Sequence, residues 1–182
     1  MASKAVLSKS SLKNLRLSAF ICVLFLLGFA VSSAAQENGF DLTAAIAAAQ
    51  PGATVEVPPG LYAGSLTIDK PVHLRGVAGP DGSLPVIDGQ GKGTVVAITA
   101  SDVTLENFVV RNSGNVIDKE DGGITVDGAA NVTLRNNRLE DVLYGIRGIN
   151  AHRLVIDGNT IIGRHLDPAR RGDSLRIWQS EE

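Results

Sequence analysis

Two consecutive segments of this sequence share one pattern of apolar and polar residues. The first reads VTLRNNRL and the second, 22 residues later, reads LVIDGNTI; each carries an asparagine, Asn137 or Asn159, at the same place. A period in the low twenties, built from short strands, is typical of a β-solenoid, in which each turn packs on the one before. The repeat therefore predicts a stack of turns with aligned apolar columns.

Earlier parts of the chain follow the same register. Units begin at Val72, Val103, Val132 and Leu154, and the longer interval from Val103 to Val132 fits if seven extra residues form a loop within NSGNVIDKED. A second insertion, RHLDPARRGD, precedes Ser174. A solenoid tolerates insertions only at its corners. The alignment then predicts three neighbouring pairs: Leu134 with Ile156, Leu139 with Ile161, and Ile146 with Leu175.

The predicted fold class is all-β, a parallel β-helix, over residues 36–182. Strand-like runs are short and separated by Gly, Asn, Asp and Pro, and the long crossover helices of a doubly wound α/β fold are absent from the sequence. One convincing helix, residues 41–50, precedes the first turn and would cap it. No second cap follows SLRIWQSEE, so we expect a β-helix truncated at its C-terminal end, or a short protein that pairs through that end.

The first 35 residues have the pattern of a cleavable secretory signal peptide. Four basic residues and no acidic ones precede an apolar run from Leu17 to Val31, and small residues ending at Ala35 follow. Cleavage predicts export to the periplasm, with no membrane span left. It would leave 13 of the 17 basic residues against 19 acidic ones, which argues against a nucleic-acid partner.

The two repeated asparagines are interpreted as structural. Asn tolerates the left-handed backbone of a sharp corner, and its amide can hydrogen-bond to neighbouring backbone groups. Asn137 and Asn159 would then stack at one corner, with Phe108 in the same place one turn earlier.

Sequence alone identifies no catalytic set and no cofactor. The acidic residues of DKED lie in one loop, which we interpret as solvated, and other carboxylates fall at different corners, so no acidic pair suited to glycoside hydrolysis is visible. Copper would require His, Met or Cys. The only Met and Cys, Met1 and Cys22, would be lost with the signal peptide, and His152 and His165 are not one repeat apart.

Four segments resemble known families. LTAAIAAAQPGATVEVPPGLYAGSLTIDKPVHLRG resembles the start of many right-handed parallel β-helix proteins of the carbohydrate-binding and sugar-hydrolase type. The segments VIDGQGKGTVVAITASDVTLENFVVRNSG, DGGITVDGAANVTLRNNRLEDVLYGI and RRGDSLRIWQS are similar to the NosD family, periplasmic maturation proteins of nitrous oxide reductase. In the last segment Ser174 and Leu175 replace the family's usual Gly-Ile.

The resemblance implies a non-enzymatic accessory protein that supports copper-centre assembly with an ABC transporter and a copper chaperone or enzyme partner. Two alternatives stay open: a carbohydrate-active enzyme, either a polysaccharide lyase or a hydrolase, and a surface module that binds glycans. The most unusual insertion has two interpretations, a solvated corner or a partner-docking loop. Its predicted members are Arg164, His165, Arg170, Arg171 and the only tryptophan, Trp178.

Overall fold

A computed structural model describes residues 39–167 and 170–180, so the predicted signal peptide, residues 1–35, lies outside the described residues. The described residues form helix α1 (Leu42–Ala48), a short 3-10 helix (Ile117–Lys119) and fifteen strands in three parallel five-stranded sheets. Each turn contributes one strand to each sheet. The predicted parallel β-helix is therefore confirmed, with about five turns.

The three sheets are named A, B and C here. Sheet A contains β1 (Thr54–Val57), β4 (His73–Gly76), β7 (Thr104–Glu106), β10 (Thr133–Arg135) and β13 (Val155–Asp157). Sheet B contains β2 (Leu61–Ala63), β5 (Val86–Asp88), β8 (Val109–Arg111), β11 (Arg138–Val142) and β14 (Thr160–Gly163). Sheet C contains β3 (Leu66–Ile68), β6 (Val96–Ile98), β9 (Gly122–Asp127), β12 (Tyr144–Ile149) and β15 (Leu175–Trp178).

The core consists of apolar columns that run from turn to turn. Side chains alternate between the two faces of a strand, and parallel pairing places equivalent residues side by side. All three predicted pairs are in register: Leu134 with Ile156, Leu139 with Ile161, and Ile146 with Leu175. The first member of each pair is fully buried.

The corner after sheet A uses the left-handed backbone one residue earlier than the sequence suggested. Asn107, Asn136 and Gly158 have φ of 62°, 52° and 65° in successive turns, whereas Asn137 and Asn159 do not have positive φ. Asn and Gly adopt this conformation at the lowest steric cost. The expectation that Asn137 and Asn159 themselves provide the left-handed residue is therefore wrong.

Asn137 and Asn159 instead stabilise that corner through their side chains. Asn137 is 1% exposed, and its amide nitrogen donates to the Leu105 carbonyl at 2.9 Å and to Asn159 Oδ1 at 3.0 Å. Its amide oxygen accepts from the Phe108 backbone N–H at 3.1 Å. The amides thus form a ladder that satisfies buried backbone groups in neighbouring turns.

Helix α1 packs its apolar face on the first turn. Asp41 accepts a hydrogen bond from the Ala44 backbone N–H at 2.9 Å and caps the helix start, and Leu42 and Ile46 are buried in the core. The helix is shorter than the predicted range 41–50, because a residue before proline, here Gln50, disfavours helical backbone. Lys70 supports its last turn, donating to three carbonyls, those of Ile46, Ala47 and Ala49.

Gly145 marks a close approach between successive turns. A Cβ atom added there would lie 2.1 Å from the carbonyl oxygen of Ser174. Glycine therefore stands at position 145 because a backbone contact leaves no room for a larger residue there.

Candidate functional site

Two arginines lie on the outer face of sheet C in consecutive turns. Arg147 pairs in register with Thr125 on one side and with Arg176 on the other. Neighbouring strands are about 4.8 Å apart, and like charges placed directly opposite each other are destabilising. The Arg147 side chain is 10% exposed and that of Arg176 is 27% exposed, so solvent alone does not compensate for the repulsion.

One carboxylate, that of Glu120, neutralises both arginines in part. Glu120 forms ion pairs with Arg147 and, at 2.9 Å, with Arg176. Arg147 also donates to the Glu120 backbone carbonyl at 3.1 Å. Glu120 has φ of 51° and ψ of 44°, a left-handed conformation that few residues other than Gly, Asn and Asp adopt without strain.

The insertion that carries Glu120 is only partly solvated. Asp118 and Lys119 are exposed as predicted, but Asp121 is 5% exposed and accepts the Val116 N–H at 3.0 Å. The expectation that DKED is a solvated loop is therefore wrong for its second half, because Glu120 and Asp121 each hold a partner inside the fold.

An apolar pair lies beside the two arginines. Ile149 and Trp178 are in register two residues further along β12 and β15, and the Trp178 residue is 57% exposed. The Arg176 guanidinium lies 4.9 Å from the centre of the Trp178 ring, within the range of cation–π contacts. We call these five residues the arginine–tryptophan patch: Glu120, Arg147, Ile149, Arg176 and Trp178. Together with Gln179 they line a pocket of about 260 Å³.

The structure divides the docking residues predicted from sequence between two places. Arg164, His165 and Arg171 line a pocket in the second insertion, whereas Trp178 lies in the arginine–tryptophan patch. Arg164 is anchored: its side chain is 18% exposed, forms an ion pair with Asp141 at 2.8 Å and donates to the Ser113 carbonyl at 2.9 Å.

The other members of that loop are more accessible. Arg171 donates to the Leu166 carbonyl at 2.7 Å, and its residue is exposed, as are His165 and Arg170. A docking role for the loop stays a prediction. Sequence reasoning missed Arg147 and Arg176. Each directly follows one member of the predicted pair Ile146 and Leu175, so the repeat alignment already placed the two arginines side by side.

The outer face of sheet A, unlike that of sheet C, has no like charges next to each other in its column of charged residues. Its outward column alternates in sign from turn to turn, and each neighbour is in register. The Arg135 side chain pairs with Asp157 at 3.1 Å, and both are about half exposed, at 47% and 62%. The complete column is Glu56, Arg75, Glu106, Arg135 and Asp157.

Sheet B carries one buried carboxylate on its outer side. Asp88 is 8% exposed, and burial by itself would raise the pKa of its carboxyl group. Hydrogen bonds from Asn112, the Gln90 N–H and Arg111, with the charge of Arg111, outweigh burial and lower the pKa below the usual 3.8. Asp88 therefore ties successive turns of sheet B together as an anion.

Residues 39–167 and 170–180 contain neither a metal-ligand cluster nor a membrane-spanning helix. No group of three or more His, Cys, Asp or Glu residues there could hold a metal ion. His73 and His165 are exposed, and His152 is half-buried. No helix in this part of the chain has the length and apolar character needed to cross a bilayer.

Known proteins resemble this chain in sequence. A family described as the right-handed β-helix region matches residues 86–174. The chain is 32% identical over 127 residues to a protein of Pseudomonas aeruginosa named probable ABC transporter binding protein NosD, with 69% of this chain and 27% of that protein covered. A protein of the same name from Stutzerimonas stutzeri is 30% identical over 108 residues, with 59% and 24% covered.

The chain thus spans about a quarter of the length of these curated relatives. Among solved structures, a pectin methylesterase mutant with a bound hexasaccharide has a TM-score of 0.39 and 16% identity, with 62% of this chain and 44% of that chain covered. A likeness that weak carries no functional information. The sequence matches and the stacked parallel sheets together show that the chain is a NosD-like right-handed β-helix protein.

Proposed function

We propose that this protein is a periplasmic accessory protein that works with an ABC transporter to support assembly of the copper centre of nitrous oxide reductase. The supporting observation is the similarity to two proteins named probable ABC transporter binding protein NosD, over 69% and 59% of this chain. The basic, apolar and small-residue pattern of residues 1–35 supports export.

In this proposal the described segment acts by contact with other proteins and not by catalysis. The stacked turns hold outward side chains in fixed columns, which suits a rigid surface for recognition. Copper is the cargo of the assembly, and we assign no copper ligand to the described residues.

Deletion of the gene, with complementation, tests this function. We expect nitrous oxide reductase purified from the deletion strain to lack part or all of its copper, and the restored gene to return the copper content to normal. Metal analysis of the purified enzyme is the measurement. Fully copper-loaded enzyme from the deletion strain would rule the proposal out.

A physical association test complements the genetic one. Tagged protein isolated from membranes should retain subunits of an ABC transporter, in amounts that a signal-peptide-deleted version does not retain. Recovery of the transporter with neither version would contradict a role at the transporter.

The carbohydrate-active alternatives predict a different result. A polysaccharide lyase or hydrolase would shorten a polyuronide, and a glycan-binding module would be retained on a glycan array. The accessory role predicts no cleavage of polyuronide by the purified protein. Measured turnover would show that the protein is an enzyme and would contradict this role.

A further inference from the structure

The arginine–tryptophan patch places an unusual charge arrangement on the surface of an acidic protein. The full sequence has a formal net charge of −2, yet Arg147 and Arg176 are stacked in register with one carboxylate, that of Glu120, between them. Among these three side chains, two guanidinium groups and one carboxylate leave one positive charge without an ion-pair partner of its own. Arg176 therefore keeps capacity for a second anionic partner.

Glu120, which supplies that carboxylate, differs from the two arginines in its position in the chain. Glu120 does not belong to the strand repeat; it reaches the arginines from an inserted loop, with its own backbone in the left-handed region. The left-handed backbone of Glu120 ends the 3-10 helix Ile117–Lys119 and leads the chain into β9. Glu120 thus occupies, from within the chain, a position that recognises carboxylates.

The apolar half of the patch lies at a defined distance from its basic half. Arg176 and Trp178 are two residues apart on β15, and Arg147 and Ile149 are two residues apart on β12. Residues at i and i+2 of a strand point to the same face and are about 6.6 Å apart. Trp and Arg are over-represented among the residues that dominate protein interfaces.

We propose that the arginine–tryptophan patch docks an extended segment of a protein partner that presents a carboxylate and, two residues away, an apolar side chain. The carboxylate binds Arg176 in competition with Glu120, and the apolar side chain packs on Trp178 and Ile149. This inference goes beyond the proposed function, because it applies to any protein that presents such a segment and does not depend on copper.

Trp178 provides a direct probe, since it is the only tryptophan in the chain. The probe ligand is a synthetic peptide with alternating sequence Ser-Glu-Ser-Leu-Ser-Glu-Ser-Leu, blocked at both ends, and the control peptide has Gln in place of Glu. Calorimetric titration and tryptophan emission should both show saturable binding of the acidic peptide. The Gln peptide should bind at least about tenfold more weakly, because charge-assisted hydrogen bonds to arginine are lost.

Variants on the two sides of the competition should shift affinity in opposite directions. Glu120→Gln removes the internal competitor and should tighten binding of the acidic peptide about threefold or more, whereas Arg176→Gln should weaken it about tenfold. Arg135→Gln, on the outer face of sheet A, is the matched control and should bind as the unmodified protein does. Circular dichroism verifies that each variant is folded.

Three results would overturn the proposal. The first is equal binding of the acidic and Gln peptides. The second is an unchanged or weaker affinity in Glu120→Gln, a readout that stands even if Arg176→Gln does not fold. The third is tighter binding of an oligogalacturonide than of the peptide at the same residues, which would assign the patch to an acidic saccharide. The copper content of nitrous oxide reductase is measured separately, so failure here is distinguishable from failure of the proposed function.

Discussion

The outer faces of sheets A and C belong to the same repeat but arrange their charged residues differently. On sheet A, acidic and basic residues alternate down one column, and the ion pair of Arg135 with Asp157 is about half exposed. On sheet C, Arg147 stacks on Arg176, and their common partner comes from a loop outside the strand repeat. On sheet A each charge has only opposite charges as neighbours in its column, whereas on sheet C two like charges are adjacent and their partner lies outside the column.

The difference shows how a solenoid can separate folding from recognition. A column of alternating charges needs no counter-charge from another segment, and exposed pairs of this kind contribute little to stability. A like-charged column is less favourable by itself, so its presence beside an exposed tryptophan indicates a face adapted to contact. We therefore expect substitutions on the different sheets to differ in their effects.

The largest effect should come from the buried corner between sheets A and B. Asn137→Ala leaves the Phe108 N–H and the Leu105 carbonyl without their side-chain partner in a buried site, and should cost about 3 kcal/mol of unfolding free energy. Urea denaturation is the measurement. Asn159→Ala, at a less buried position, should cost clearly less, and equal losses would contradict the ladder.

The next effect should distinguish sheet C from sheet A directly. Glu120→Ala leaves the largely buried Arg147 without its carboxylate and should cost about 2 kcal/mol of unfolding free energy. Asp118→Ala, at an exposed position in the same loop, is the control and should change stability little. If the two variants were equally stable, Glu120 would not be the counter-charge of sheet C.

Sheet B should show an intermediate effect with a pH signature. Asp88→Asn removes a buried anion that accepts from Arg111 and Asn112, and should cost about 1 kcal/mol near neutral pH. Because folding lowers the pKa of Asp88, its contribution is present above 3.8 and is lost as pH falls through the lower folded value. Thermal melts at several pH values should show the variant and the unmodified protein converging in acid.

The smallest effect should come from the charge column of sheet A. Arg135→Gln removes one exposed ion pair and should change the unfolding free energy by about 0.5 kcal/mol or less, with a smaller difference in high salt. Urea denaturation at low and high salt is the measurement. A loss as large as that of Glu120→Ala would remove the contrast between the two faces.

Sequence reasoning predicted the scaffold better than the site, for a physical reason. The pairing of Leu134 with Ile156 follows from a period, and parallel stacking converts a period directly into contacts. The arginine–tryptophan patch joins a side chain of the first insertion, Glu120, to two strands that flank the second insertion, and the position of a loop side chain does not follow from a period. The sequence also did not predict that Arg164, a member of the candidate docking loop, is anchored on Asp141.

The sequence by itself determined the turn length, the parallel stacking, the identity of the buried columns and the presence of a helix before the first turn. These depend on local alternation and on repetition, which are properties of the chain in one dimension. Only the tertiary structure decided which residue at each corner is left-handed, that Lys70 supports the helix end, and that Glu120 joins Arg147 and Arg176. Those outcomes arise because residues far apart in the chain compete for the same hydrogen bonds and charges once the turns are packed together.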